Sequence, residues 1–114
     1  MESYHRELRE ALIQAARKKP GLINYSDPAV LAMTHLDMDK SADREKLVEL
    51  LDEIARFEHS EGRPLLTAVV VNKYTLRPGK GFFELAVELG LMKAKDDRDI
   101  FYVNELDRVY HQWR

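Results

Sequence analysis

The chain of 114 residues is 45% hydrophobic and 33% charged, a composition typical of one globular domain rather than of a disordered chain. It has no cysteine, which excludes disulfides and thiolate metal sites. Its formal net charge is −2, so the overall electrostatic field of the chain does not attract nucleic acid. No window reaches the ~18 consecutive apolar residues of a membrane span, and the charged N-terminus lacks an apolar signal core, so we expect one cytoplasmic domain, residues 1–114, without membrane contact.

Two helices are predicted before residue 40. Residues 3–19 carry apolar side chains at helical spacing, with Ser3 as a candidate cap and a Pro-Gly pair directly after them. Asp27 followed by Pro28 is a typical cap and first residue of a helix. We expect this second helix to end near Leu36, because a run of polar turn formers follows.

A longer helix is predicted next, from Ser41, as its cap, to about Ser60. Apolar residues recur along it at helical spacing, and charged residues occupy the other positions. The side chains expected to form its buried stripe are Leu47, Leu50, Leu51, Ile54 and Phe57.

The run LLTAVVV, Leu65–Val71, predicts a β-strand because it is rich in β-branched residues over strand-like length. A strand needs a hydrogen-bonding partner, and three partners are open. A turn at Asn72 would bring residues 74–77 back beside it, or Asp99–Val103 would pair with it. The third option is a second copy of the chain, which would make a homodimer through Leu65–Val71.

Two more helices complete the predicted fold. Residues 81–89 are almost entirely apolar, which indicates a central helix, and Gly90 follows as a typical C-terminal residue. After a charged loop, residues 100–114 read as a closing helix, although Asn104 is an alternative cap for a shorter helix preceded by a strand. The predicted fold class is mainly α, about five helices with a small β element, in a single compact α+β domain.

The stretch RPGKGFF, between the predicted strand and the central helix, has two competing interpretations. Gly79 and Gly81 flank Lys80, so backbone N–H groups and the helix dipole can face an anion, with Arg77 adding charge. The phosphate-binding motif G-x-x-x-x-G-K-[ST] is absent, however. The structural interpretation, which we favour, is that the Pro-Gly pair makes a tight turn and Gly81 lets the following phenylalanines pack closely.

No catalytic or metal-binding set is visible in the sequence. The four histidines lie on different predicted elements, and none of the serines stands in a nucleophile motif. Aromatic residues near the C-terminus, among them Tyr110 and Trp113, have helical spacing, which favours packing over the stacking of bases. We therefore expect no cofactor and no metal ion.

Residues 62–89, GRPLLTAVVVNKYTLRPGKGFFELAVEL, resemble a segment of small bacterial proteins and N-terminal modules with the pattern G-R-P-x-L-[ST]-A-x-V-V-N-K, a short turn, then P-G-x-G-F-[FW]. Leu76 departs from the pattern where it has a turn glycine. A looser match, FxxxELxxVYxxW, lies near the end of the chain. Some relatives accompany defence or mobile-element genes, so the resemblance implies a bacterial source and a link to defence, without an assigned activity.

The sequence thus favours a non-enzymatic binding protein whose partner is another protein, in an accessory, immunity-like or regulatory role. The candidate binding residues are Arg63, Asn72, Lys73, Arg77, Gly79, Lys80, Gly81, Tyr110 and Trp113. Two alternatives stay open. One is nucleic-acid or nucleotide binding through the cations Arg63, Lys73, Arg77 and Lys80. The other is a nuclease-like enzyme whose catalytic set is not visible.

Overall fold

The computed structural model describes residues 3–114, with side chains from residue 5 onward. Five α-helices and two short strands lie in that range. In chain order these are α1 (Ser3–Arg17), β1 (Ile23–Asn24), α2 (Pro28–Thr34), α3 (Ser41–Ser60), β2 (Val70–Val71), α4 (Lys80–Glu88) and α5 (Arg98–Trp113). The predicted fold class, mainly α with a small β element, is confirmed. None of these helices combines the length and the hydropathy that a membrane crossing requires.

The helix starts follow the capping chemistry in part. The Asp27 carboxylate accepts a hydrogen bond from the Ala29 N–H at 2.9 Å, and Pro28 is the first residue of α2, as predicted. Ser41 is not a cap, because it is already helical and Lys40 precedes it without a side-chain hydrogen bond. The cap predicted at Ser3 lies outside what the structure describes, since side chains are described only from residue 5 onward.

The buried stripe of α3 is confirmed for four of its five predicted residues. Leu47, Leu50, Leu51 and Ile54 are buried. Phe57 is 36% exposed instead, since its ring lies under two arginine side chains near the surface. The spacing of the apolar residues places Phe57 at the edge of the stripe. There its ring is covered by the side chains of Arg9 and Arg63 and not by core residues.

The strand predicted over residues 65–71 is wrong for most of its length. Leu66–Val69 form a short 3₁₀ helix, and only β2 remains extended. All seven residues are buried, because α1, α3 and α5 pack around this segment. A 3₁₀ turn sends successive side chains in three directions, which suits a segment surrounded by the core on every side. Two of its polar groups are bound by α5: the Leu65 N–H donates to Glu105, and the Ala68 carbonyl accepts a hydrogen bond from the Tyr102 hydroxyl, each at 2.9 Å.

The partner of β2 is none of the three predicted ones. β1 pairs with it in parallel, with Ile23 opposite Val70 and Asn24 opposite Val71. Both strands are two residues long, too short for an alternating pattern to reveal β1 in the sequence. Because residues 65–71 are covered by their own chain, the segment offers no surface for the homodimer that was predicted through it. The oligomeric state itself stays a prediction.

The two C-terminal helices agree with the prediction of a central helix followed by one closing helix. α4 ends before Gly90, whose φ of +77° is the left-handed conformation expected there. α5 is one continuous helix that includes residues 99–103, so the alternative of a strand followed by a cap at Asn104 is wrong. Asp97 is the cap instead, and its carboxylate accepts a hydrogen bond from the Ile100 N–H at 3.1 Å.

Candidate binding surface

The loop between β2 and α4 is organised by Asn72. Its side-chain oxygen accepts hydrogen bonds from the N–H groups of Tyr74, at 2.8 Å, and Thr75, at 3.2 Å. Its backbone also bonds across the loop, to the Leu76 N–H at 2.8 Å and the Arg77 carbonyl at 2.9 Å. Asn72, predicted as a binding residue, therefore has a structural role: it fixes the shape of the loop.

Leu76 adopts a left-handed conformation, with φ of +55°. This is the position at which the bacterial pattern has a glycine. A leucine in this conformation brings its Cβ close to the following carbonyl, at a cost of roughly 1–2 kcal/mol. Its side chain is 54% exposed, so no burial offsets that cost. The loop keeps the glycine-like turn in spite of the leucine.

The glycines of the loop stand at the start of α4. The N–H of Gly79 donates to the Tyr25 hydroxyl at 2.7 Å, so this amide is already bound within the chain. A Cβ on Gly81 would lie 3.7 Å from Val48, an ordinary contact. The interpretation that Gly81 is needed for close packing of the phenylalanines is therefore wrong, since the position has room for a side chain.

Tyr25 binds the N–H of Gly79, the residue before α4, so Tyr25→Phe is expected to lower the free energy of unfolding by about 1 kcal/mol. The hydroxyl is the only group lost, and the Gly79 N–H loses its partner. Urea denaturation measures the effect. Tyr74→Phe is the matched control, because Tyr74 is 81% exposed. An equal loss in both variants would contradict a stabilising role of the Tyr25 hydroxyl.

The two arginines of the predicted basic site, Arg63 and Arg77, are not brought together. Arg77 pairs with Asp99 at 3.1 Å and its guanidinium lies 5.7 Å from the centre of the Tyr102 ring, near the start of α5. Arg63 binds Glu58, and Arg9, which binds the same carboxylate, stacks on Trp113 at the other end of α5. Asp99 and Trp113 are separated by about 21 Å of helix.

Lys73 and Lys80 are the cations of this set without a carboxylate. Both are exposed, and neither forms an ion pair with any of the residues that the structure describes. The Lys73 ammonium lies 5.1 Å from the centre of the Tyr74 ring, on the loop itself. These two lysines are therefore free to meet negative charge on another molecule.

The aromatic pair at the C-terminus is packed against the start of the chain. The Tyr110 hydroxyl donates to the Gly21 carbonyl at 2.8 Å, and the Arg114 guanidinium lies 3.9 Å from the centre of its ring. Burial raises the pKa of the Tyr110 phenol, which keeps its proton for that hydrogen bond. Trp113 is half-buried, with Arg9 over its ring at 5.4 Å. Both rings carry an arginine on one face, and packing accounts for Tyr110, whereas the buried Nε1–H of Trp113 has no hydrogen-bond partner among the described residues.

A group of exposed apolar side chains was missed by the sequence analysis. Ile100 is 65% and Val103 57% exposed, one turn apart on the outer side of α5. Tyr74 and Leu76 stand on the loop that the Arg77–Asp99 ion pair fastens to the same part of α5. We call Tyr74, Leu76, Ile100 and Val103 the apolar face. A helical projection of α5 would have separated Ile100 and Val103 from the buried positions 102, 105 and 109.

Within residues 3–114, no three histidine, aspartate or glutamate side chains lie close enough together to hold a metal ion. The comparisons with protein-family models, with curated proteins and with solved structures give no match.

Proposed function

We propose that the chain is a non-enzymatic, cytoplasmic protein-binding module of a bacterium, and that its apolar face contacts the partner protein. The observation that supports this is the exposure of four large apolar side chains, from 54% to 81%, on two adjoining elements. Isolated apolar residues are common on protein surfaces, but a cluster of them on a fixed scaffold is typical of an interaction site.

The apolar face is held in one geometry before any partner arrives. Asn72 fixes the loop through its backbone and side-chain hydrogen bonds, and Arg77 ties the loop to α5. Ile100 and Val103 stand on a helix, whose side-chain positions are fixed by the core packing of its other side. Such preorganisation lowers the ordering entropy that binding would otherwise cost.

Charges around the apolar face indicate the chemistry of the partner. The nearby carboxylates are bound within the chain, because Asp97 caps α5 and Asp99 pairs with Arg77. Lys73 and Lys80 have no such partner. We therefore expect an apolar patch bordered by aspartate or glutamate on the partner protein. The resemblance of residues 62–89 to segments from defence-linked bacterial proteins supports an accessory or immunity-like role.

The strain at Leu76 gives the proposal a distinctive test. Leu76→Gly is expected to raise the free energy of unfolding by about 0.5–1 kcal/mol, since relief of the left-handed strain exceeds the backbone entropy cost of glycine. The same change removes an exposed side chain of the apolar face, so affinity for the partner is expected to fall about tenfold.

Denaturation and binding measured on one preparation separate the two effects of Leu76→Gly. Thr75→Gly is the control, because its φ is not left-handed and its hydroxyl accepts the Arg77 N–H at 3.3 Å, so this variant is expected to lose stability. If Leu76→Gly gains stability and keeps full affinity, Leu76 is not part of the binding surface.

The partner itself is found by site-specific photo-crosslinking in cells that produce the protein naturally. A crosslinking amino acid at position 100 is expected to capture one protein, whereas the same group at Gln112, exposed on α5 but outside the apolar face, is expected to capture none. Capture of a second copy of the chain would replace the proposal with a homodimer through this face.

The captured partner is then purified and its affinity is measured by calorimetry. Ile100→Asp and Val103→Asp each place a charge in the apolar face, and we expect either to weaken binding at least about tenfold. Asn104→Asp adds the same charge at an adjacent exposed position and is expected to leave affinity within about twofold. Equal effects of all three would contradict the proposed surface. Binding to nucleic acid that falls steeply with salt would favour the basic-loop alternative instead.

A further inference from the structure

A cavity of about 320 Å³ lies between α3 and α4, and none of its lining residues belongs to the apolar face. Its volume is at the lower end of the range of about 300–1,000 Å³ found for small-molecule sites. The apolar side chains that line it are Val48, Leu51, Val70, Phe82 and Leu85. They come from α3, β2 and α4, so the cavity has an apolar floor formed by three elements.

Carboxylates dominate the charge around this cavity. Glu49, Asp52, Glu84 and Glu88 line it, against the single guanidinium of Arg56. Arg56 binds Asp52 at 2.7 Å and also Glu88, and so joins α3 to α4 at one end of the cavity. The hydrogen bond from Arg56 holds the pKa of the Glu88 carboxyl below its ordinary value, so this group stays ionised.

The two remaining carboxylates are available for a ligand. Glu84 forms no ion pair with any residue in the described range, 3–114. Glu49 has a contact with Lys46 at 3.7 Å, between side chains that are both about half exposed or more. An exposed pair of this kind contributes little to stability, so Glu49 can exchange Lys46 for another cation.

Hydroxyl groups at the cavity give an independent indication of a ligand. Thr67 lines it and is only 7% exposed, yet its hydroxyl makes no hydrogen bond to the described residues. The Tyr25 hydroxyl accepts the Gly79 N–H, which leaves its own proton for another acceptor. Burial raises the pKa of the Tyr25 phenol, so that proton is retained. The Thr67 oxygen lines the cavity and can accept an N–H group from a bound molecule.

We infer that the cavity binds a small organic cation: an ammonium or guanidinium group that meets Glu49 and Glu84 and donates an N–H to the Thr67 hydroxyl oxygen, on an apolar body that fills the space between α3 and α4. An anion is disfavoured because the carboxylates outnumber the one guanidinium, which is already bound on both sides. A fully apolar molecule would give neither the carboxylates nor the Thr67 hydroxyl a partner. This site shares no residue with the apolar face, so a failed test of one proposal does not contradict the other.

Titrations followed by the amide resonances of the full chain test the inference. The probe is 2-phenylethylammonium, compared with 2-phenylethanol, a neutral analogue of the same shape, and with 3-phenylpropionate, an anion of similar size. Saturable shifts are expected on α3 and α4 with the cation below about 1 mM, with the neutral analogue several-fold weaker and the anion without effect. Equal affinity for the three probes, or no saturation with the cation up to about 10 mM, would overturn the inference.

Variants assign the binding to the carboxylates. The double variant Glu49→Gln, Glu84→Gln is expected to weaken binding of the cation about tenfold, because it removes both charges that face the ligand. Glu45→Gln, one turn before Glu49 on α3 and outside the cavity, is the matched control and is expected to change affinity less than about twofold. If the control weakens binding as much as the double variant, only the general charge of α3 is responsible.

A third variant tests the space itself. Val48 lines the cavity with 52% of its surface exposed, so Val48→Trp can place a ring over the opening without disturbing the core. We expect this variant to lose detectable binding of 2-phenylethylammonium while its thermal unfolding stays close to that of the parent chain. Unchanged affinity in a folded Val48→Trp variant would place the bound cation outside the cavity and contradict the inference.

Discussion

Glu58→Ala is expected to lower the free energy of unfolding by about 3–5 kcal/mol, because it leaves two arginines without the carboxylate that they share. Glu58 is fully buried, and it accepts hydrogen bonds from Arg9 and from Arg63, each with an Nε–Oε distance of 2.8 Å. Both guanidinium groups also lie about 5.5 Å from the centre of the Phe57 ring. The carboxylate therefore joins α1, α3 and the segment after α3.

Urea denaturation measures this loss, and Glu45→Ala is the control on the same helix. Glu45 is exposed, so its removal is expected to change stability by less than about 0.5 kcal/mol. A loss for Glu58→Ala no greater than that of the control would show that the buried ion pairs do not stabilise the fold.

The pH dependence of stability also reports the contribution of the Glu58 ion pairs. Burial alone would raise the pKa of the Glu58 carboxyl, but the hydrogen bonds and charges of Arg9 and Arg63 lower it below its ordinary value of 4.5. The contribution of Glu58 is therefore complete above pH 4.5 and is lost as the pH falls through the lower pKa of the folded state. Glu58→Gln should flatten the stability profile in that acidic range.

Gly21→Ala is the second substitution with a large expected effect, a loss of about 2–4 kcal/mol from left-handed strain and overpacking together. Gly21 has φ of +85°, and a Cβ there would lie 2.6 Å from the Tyr110 hydroxyl and 2.7 Å from an Arg114 nitrogen. Neither side chain can move away freely. Tyr110 donates to the Gly21 carbonyl, and Arg114 donates to the Ala16 carbonyl at 2.8 Å.

Gly62→Ala separates the two causes of that loss. Gly62 has a similar φ of +75°, but a Cβ there would meet nothing within 4 Å. Its substitution is expected to cost about 1–2 kcal/mol, the strain alone. The difference between the two variants in thermal or urea unfolding is the contribution of close packing at Tyr110. Equal losses would mean that the C-terminal aromatic residues adapt without cost.

The helices could be predicted from the sequence because their signals are local. A periodic apolar stripe defines α3, the Asp27-Pro28 pair starts α2, and Gly90 ends α4; each needs only a few neighbouring residues. The apolar run at residues 65–71 gave a wrong prediction because its one polar residue, Thr67, is buried with the others. Burial on every side removes the periodicity that distinguishes a strand from a turn of helix, and the β-branched composition then decides the prediction.

The candidate surfaces were harder to predict, since they depend on contacts between distant parts of the chain. Arg63 was assigned to a basic site, but it pairs with Glu58, five residues before it in the chain, and Glu58 also binds Arg9, which is 49 residues away. The cavity is likewise assembled from three elements. Ile100 and Val103 were within reach of sequence reasoning, because their helical positions differ from those of the buried residues of α5.

The burial of residues 65–71 also determines how the molecule opens. Their amides lie at the centre of packing from α1, α3 and α5, so we expect them to exchange with solvent deuterium only when the whole domain unfolds. The loop that follows, residues 72–77, is exposed, and we expect it to exchange through small local fluctuations. Slowly and rapidly exchanging amides are therefore expected within a few residues of each other along the backbone. A partner that covers the loop can slow its exchange without altering the protection of the centre.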